Sequence, residues 1–411
     1  MAELAINGGP KVFDEPVRVR WPEVDQRDEE ALLKVLRSGS WWRGGTVESQ
    51  DASECGTFER AFAAMQGAEH ALAVFNGTVA VECALRACGV GPGDEVIVPA
   101  LSFVVSASAA LPLAAVPVFA DADPETLQSD PDAIEAAITP RTKAIVIVHF
   151  GGYPADLDRI TAVAEKHNLP LIEDCAHAQG SQWRGKGVGT YGDYGTFSFQ
   201  QSKSITSGEG GMILAKTLDH RQRAYRYHNL GRLETQGFYD FELLSSNLRI
   251  TDLQGALLNS QLEKFPRQME QRMDAAAFLS AELRKIGGVE PLPADERITR
   301  RGFYYYIFKY DAAQFGGVPR ETFREALAAE GVTVGKAYGR SINEYPLFRN
   351  MEVPGEYTLS QYATVKMPVS EDACANRICT LAHQFLLADR ATLGKMVEAV
   401  AKVKANAGEL K

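Results

Sequence analysis

A chain of 411 residues, 45% hydrophobic and 23% charged, has the length of two or three domains and the composition of a globular protein with a large core. Its 43 basic residues are outweighed by 53 acidic ones, and the net charge of −10 argues against nucleic acid or an anionic membrane as the main partner. No apolar run reaches membrane-spanning length, the N-terminal segment reads as too short and too acidic for a signal peptide, and the six cysteines show neither metal-ligand pairs nor a disulfide framework, so a reducing cytoplasm is the expected setting.

In chain order, the first predicted element is a helix over 25–37, acidic at its start and apolar on one face through Ala31, Leu32, Val35 and Leu36. It ends at Ser38-Gly39, before the segment Ser40-Trp-Trp-Arg-Gly-Gly45. From about Glu69 short apolar runs alternate with helical stretches. Strands are expected at 70–75, 95–98, 116–120, 143–149, 170–173, 195–199 and 211–215, with helices at 79–87, 131–137 and 157–166. Continuous Val/Ile/Leu runs separated by helices predict a buried, mostly parallel sheet. After about residue 250 the pattern changes. A long helix over 251–285 leads to a strand at 304–310 and to helices near 319–330 and 390–405. The expected division is a large α/β domain over 1–250, including the N-terminal segment, and a smaller α+β domain over 251–411.

Chemistry gathers at three places. Lys203 lies among small and hydroxyl residues, in Thr196-Phe-Ser-Phe-Gln-Gln-Ser-Lys203, between an apolar strand and the turn Ser207-Gly-Glu-Gly-Gly211. An amine held in such a site can condense with a carbonyl, and pyridoxal phosphate is the commonest carbonyl cofactor bound that way. Asp174 ends a strand at the sheet edge where open α/β folds place ligands, and a carboxylate there can keep a pyridine nitrogen protonated. His177, three residues on, is read either as a donor to the ring oxygen or as a core histidine. In Phe75-Asn-Gly-Thr-Val79 a strand passes into a helix; Gly77 lets the backbone approach an anion, and Thr78 adds a hydroxyl. Ser198 is a candidate donor to the same phosphate, and Phe103 is read either as stacking on the ring or as a core phenylalanine.

These segments, with Gly93-Asp-Glu-Val-Ile-Val-Pro99, Glu173-Asp-Cys-Ala-His-Ala178, Gly208-Glu-Gly-Gly211 and Ser246-Asn-Leu-Arg249, resemble in order and spacing the DegT/DnrJ/EryC1/StrS aminotransferases. The resemblance covers nearly the whole chain. It implies a fold-type I pyridoxal-phosphate enzyme, aspartate aminotransferase-like, with a mostly parallel sheet flanked by helices and a smaller C-terminal α+β part. It implies Lys203 as the Schiff-base lysine and proton carrier, and Asp174 as the partner of the ring nitrogen. Ala176 and Phe103 would flank the ring, and His177 would sit near its oxygen. Gly77, Thr78 and Ser198 would hold the phosphate, with Asn247 reaching across a homodimer interface. Many members have glutamine where this chain has His177. Related dehydratases carry histidine in place of the lysine, so Lys203 favours transamination.

Within the family, Ser38-Gly-Ser-Trp-Trp-Arg43, Phe199-Gln-Gln-Ser-Lys203, the segment 304–317 and Met367-Pro-Val-Ser-Glu371 are similar to the branch acting on cyclitols. The aminohydroxybenzoate synthases share the Trp-Trp-Arg feature. The expected reaction is a ping-pong transfer from L-glutamine or L-glutamate to a keto-cyclitol such as scyllo-inosose or 2-deoxy-scyllo-inosose. The rival acceptors are a nucleotide-linked keto-sugar, or lyase and dehydratase chemistry like that of the aminohydroxybenzoate synthases. Candidate substrate contacts are Arg43, Arg249, Tyr338 and Tyr345.

Overall fold

Short runs of β-branched and small apolar residues form most of the central strands, β1 (His70–Val74), β2 (Glu95–Pro99), β3 (Val116–Ala120), β4 (Thr142–Val148), β5 (Leu171–Asp174), β8 (Tyr194–Ser198) and β9 (Gly211–Ala215), with the short β6 (Gln182–Trp183) and β7 (Lys186–Gly187) in a separate sheet. The computed structural model describes residues 3–234, 239–349 and 364–410. A seven-stranded sheet has the order β1-β9-β8-β5-β4-β2-β3. Its five strands from β8 to β3 run parallel, while β9 is antiparallel to both of its neighbours.

Both faces of the sheet are covered, which explains why the strands read as unbroken apolar runs. Val96, Val98 and Ile213 face one core with Val81 and Leu85 of the helix Gly77–Ala87. Ile97, Met212 and Leu214 face the other, with Phe58, Phe62 and Ile160. A one-residue slip in any of these strands would exchange the two faces.

Thr251 opens the 35-residue helix Asp252–Ile286 with a capping box. Leu258, Phe265 and Met269 on its first half complete the core under the large sheet. Ala275, Leu279 and Leu283 on its second half enter a different core. That second core lies against β10 (Val289–Pro291), β12 (Tyr305–Tyr310) and β13 (Ile378–Ala382), an antiparallel sheet, whereas β11 (Ile298–Arg300) pairs with β6. The helices Arg320–Ala329 and Arg390–Ala405 pack on it, and so does Leu4 from the N-terminal end. The architecture is the expected α/β one, a mostly parallel sheet flanked by helices with a smaller α+β part. Among the described residues no helix is long and apolar enough to cross a membrane.

Candidate active site

A cavity of about 500 Å³ opens at the carboxyl ends of β5 and β8. The β1 strand delivers Asn76, whose Oδ1 accepts the Val79 N–H at 3.0 Å and starts the helix Gly77–Ala87. Gly77 and Thr78 line the cavity together with Ser198 from the end of β8. A Cβ on Gly77 would stand 2.7 Å from the Ser198 Cβ, so the approach of helix and strand requires glycine. Gly211 is equally constrained, since its Cβ would meet the Asn76 backbone at 2.5 Å. The result is a helix N-terminus, a threonine hydroxyl and a serine hydroxyl around one space, a natural cradle for a phosphate.

Strand alternation separates the acidic pair. Glu173 is fully buried and turns away from the cavity: its oxygens accept N–H groups from Gly189, Tyr191 and Gly192 and contact His149 Nε2 at 3.0 Å. His149 Nδ1 accepts the Ala155 N–H, so the Nε2 hydrogen points at Glu173. These donors hold the Glu173 carboxyl below its usual range although burial pulls it up most strongly. Glu173, His149 and Cys175 stand close enough to form a metal-like cluster, but this hydrogen-bonding makes the pair an anchor for the strand end. Asp174 faces the cavity. Ser106 Oγ donates to one of its oxygens at 2.6 Å and Ala176 N–H to the other at 3.1 Å. Both bonds fix the direction of the carboxylate.

Lys203 follows a turn in which its own N–H donates to Gln200 O at 2.8 Å. The Lys203 Nζ lies 4.4 Å from the centre of the Tyr304 ring. Burial lowers its ammonium to about 8, against the opposite pull of Asp174. About a tenth of such an amine is free at pH 7, far more than of an ordinary lysine, and the free fraction rises steeply through pH 8. The Tyr304 ring also stacks on His177, with centres 4.1 Å apart. His177 is held well below its ordinary range by burial and by Lys203. Its Nδ1 accepts the Gly151 N–H at 3.3 Å, leaving the hydrogen on Nε2, 3.2 Å from Tyr338 Oη.

The structure therefore brings Gly77, Thr78, Asp174, Ala176, His177, Ser198 and Lys203 to one cavity, with Tyr338 and the half-exposed Phe103. It does not bring the other four there. Arg43 is buried, paired with Glu59 at 2.7 Å, and lines a separate small pocket with Arg249. Arg249 is bonded to Asn229, and its N–H donates to Asn247 Oδ1 at 3.2 Å. Tyr345 packs against the core beneath β2 and the helix Gly77–Ala87.

Residues not singled out from the sequence also line the cavity. Tyr304 and Tyr305 come from the edge of β12, Ser202 from beside the lysine and Glu209 from within the glycine turn. The run Tyr304-Tyr-Tyr306 is itself a signal, because three aromatics at the start of a strand cannot all enter one core face. Here Tyr306 enters the core while its two predecessors reach the cavity.

A lysine with a lowered ammonium, a fixed carboxylate and an anion cradle in one cavity match the parts of pyridoxal phosphate: aldehyde, ring nitrogen and phosphate. Residues 22–400 match the DegT/DnrJ/EryC1/StrS aminotransferase family. An L-glutamine:2-deoxy-scyllo-inosose aminotransferase from Streptomyces lividus is 40% identical over 99% of both chains. A 3-amino-5-hydroxybenzoate synthase from Amycolatopsis mediterranei is 36% identical over 94% of this chain and 97% of its own. The crystal structure of a 3-amino-5-hydroxybenzoic acid synthase, 35% identical, superposes with a TM-score of 0.85 over 96% of this chain and all of that one. The chain belongs to the DegT/DnrJ/EryC1/StrS aminotransferase family and is an enzyme of that class, with the fold expected of it.

Proposed function

We propose that this member of the DegT/DnrJ/EryC1/StrS family uses pyridoxal phosphate to move an amino group from L-glutamine, or L-glutamate, to a keto-cyclitol such as scyllo-inosose or 2-deoxy-scyllo-inosose. The observation that carries the cofactor is the single cavity joining Lys203, Asp174 and the Gly77–Thr78–Ser198 cradle. The acceptor class is supported by the relative from Streptomyces lividus, which is nearer in sequence than the hydroxybenzoate synthase at 36%.

When bound, pyridoxal phosphate supplies an electron sink for the electron pair left as the donor's α-carbon loses its proton. The protein's part is positioning and proton handling. Gly77, Thr78 and Ser198 bind the phosphate, and Asp174 holds a proton at the ring nitrogen. Ala176 and Phe103 flank the ring. His177, neutral and carrying its hydrogen on Nε2, is a donor beside the ring oxygen. Lys203 would anchor the cofactor's aldehyde and, as the free amine, would take the donor's α-proton and hand it back. The same steps in reverse deliver the amino group to the ketone. Tyr338, beside His177 and Phe103, faces the space left for the acceptor.

In this reading two chains form a homodimer, and Asn247, outside its own chain's cavity, reaches the phosphate in the second copy. Arg249 then acts on substrate only across that interface, whereas Arg43 is committed to Glu59 and Tyr345 to the core. The cytoplasm is its setting, on the composition and the free state of the six cysteines.

The test is product formation with L-glutamine and each of three acceptors: scyllo-inosose, 2-deoxy-scyllo-inosose and a nucleotide-linked keto-sugar. Amination of either cyclitol supports the reading. Amination of the nucleotide-linked sugar alone overturns the acceptor, and loss of an acceptor without any amino donor points to lyase or dehydratase chemistry.

A further inference from the structure

Behind Lys203, on the side away from the cavity, lies a buried chain of polar contacts that the reaction as described does not use. Arg272, fully buried on the helix Asp252–Ile286, places Nη2 3.2 Å from His383 Nδ1. A guanidinium only donates, so Nδ1 accepts and the hydrogen of the imidazole sits on Nε2. That Nε2 lies 2.9 Å from the carbonyl oxygen of Ser202 and donates to it. The Ser202 carbonyl belongs to the peptide unit that enters Lys203, and the N–H of the same unit donates to Gln200 O at 2.8 Å. Both polar atoms of that peptide are thus taken, and its plane sets the direction in which the lysine side chain leaves the backbone.

The same histidine reaches the other support of the amine. The His383 N–H donates to Tyr304 O at 3.1 Å, and the Tyr304 hydroxyl is 2.9 Å from Ser202 Oγ. The edge of Trp21 closes on the imidazole, with ring centres 4.4 Å apart at 88°. Arg272 Nε and Nη1 have no hydrogen-bond partner among the described residues. A guanidinium buried with a single hydrogen bond is poor value for stability, since desolvating it costs more than one such bond returns. The Trp21 and Phe265 rings, 5.4 and 5.9 Å from the guanidinium, offset part of that cost, and its one hydrogen bond occupies Nδ1 and so agrees with the tautomer that the acceptor-only Ser202 carbonyl requires. Burial and Arg272 also keep that imidazole well below its ordinary range, so it stays neutral.

We propose that His383, its ring held by Arg272, is a positioning residue that aims Lys203 at the cofactor carbonyl through the Ser202 peptide. The proposal rests on the cofactor reading above. His383 touches neither cofactor nor substrate; it acts through the backbone of the lysine turn, and it ties that turn to β13 of the smaller sheet.

The experiment follows the growth of the visible band when pyridoxal phosphate is mixed with cofactor-free protein, a readout of amine placement that needs no turnover. Wild type, His383→Leu, His383→Gln and Arg272→Met are compared, each with a thermal melt. His383→Leu removes the donor to Ser202 and is expected to slow band formation about tenfold or more, as misplacement of a reacting group by a fraction of an ångström does. His383→Gln keeps an N–H donor and is expected to recover most of the rate. Arg272→Met removes the donor that holds the ring at Nδ1 and is expected to fall between them. A wild-type rate in His383→Leu overturns the proposal, as does a glutamine variant no faster than the leucine one. If His383→Leu does not fold, Arg272→Met decides, and a wild-type rate there overturns it. Absence of the band in wild type itself would instead remove the cofactor reading, and this proposal with it.

Discussion

The amine of Lys203 rests on the face of Tyr304, 4.4 Å from the ring centre, and the same ring stacks on His177 at 4.1 Å. One aromatic from the smaller sheet thus supports both the nucleophile and the histidine beside it. A cation over a ring is worth about 0.5–2 kcal/mol, depending on how far it is desolvated.

Tyr304→Ala removes this support, and we expect the rate of the first half-reaction to fall about tenfold while the fold is retained. Tyr304→Phe keeps the ring and loses only the hydroxyl contact to Ser202, so its loss should be smaller. Single-turnover kinetics with L-glutamine would show the order; equal losses in the two variants would place the effect in the hydroxyl.

Lys203 carries the pH dependence of the cofactor-free protein. Its ammonium, lowered to about 8 by burial, is charged below that pH and free above it. Labelling of Lys203 by an amine-directed reagent, followed by peptide mass spectrometry, should rise through a midpoint near 8 rather than in the ordinary lysine range. Below the midpoint the buried charge opposes folding. Stability of the cofactor-free protein from this group should therefore increase as pH rises from about 8 toward the unfolded value of 10.5.

Gly77→Ala should close the cradle. Its Cβ would come within 2.7 Å of the Ser198 Cβ, and overpacking of this kind costs about 1–3 kcal/mol. Because alanine is acceptable in a first helical turn, the strain falls on the phosphate site. Cofactor affinity, read by titrating the visible band, should weaken about tenfold or more while the thermal midpoint moves little.

The adjacent acids should separate under mutation. Asp174→Asn removes the charge facing the cavity, and turnover should fall about 100-fold or more with the protein still folded. Glu173→Gln cannot accept from three backbone N–H groups and His149 as the carboxylate does. It should lower stability by about 1–3 kcal/mol in denaturant melts. The Glu173 carboxyl is held low in the fold, so its contribution is present above the unfolded carboxyl range and fades as acid protonates it.

Much of the large sheet was legible because its strands are buried on both faces and therefore written as continuous apolar runs. Val116–Ala120 and Gly211–Ala215 lie where the pattern predicts, and Lys143–His149 shifts by one residue to Thr142–Val148. The helix Leu218–His228 escaped notice because it buries little beyond Ala224, Tyr225 and His228 and has no apolar stripe. The helix Glu54–Gln66 is obscured for another reason: its inward face includes Gly56, Glu59 and Gln66, polar or small residues satisfied inside the fold. At the site, Asp174 and Gly77 could be read from a strand end and a helix start, and Lys203 from its place in a turn between two apolar strands; the structure brings the three to one cavity. Tyr304 and His383 were not legible, since they come from a sheet whose docking on the lysine turn leaves no periodic signal. Arg43 reads as a site residue in sequence, beside two tryptophans, yet its guanidinium is committed to Glu59.

The central claim is that Lys203, Asp174 and the Gly77 cradle form one transaminating site. The most direct measurement is the visible spectrum of the protein with pyridoxal phosphate, recorded as L-glutamine and then scyllo-inosose are added, in wild type and Lys203→Ala. The account predicts a band that falls with the amino donor, returns with the ketone, and is absent or inert in the variant. A band unmoved by both glutamine and glutamate in wild type, or the full cycle retained in Lys203→Ala, would contradict it.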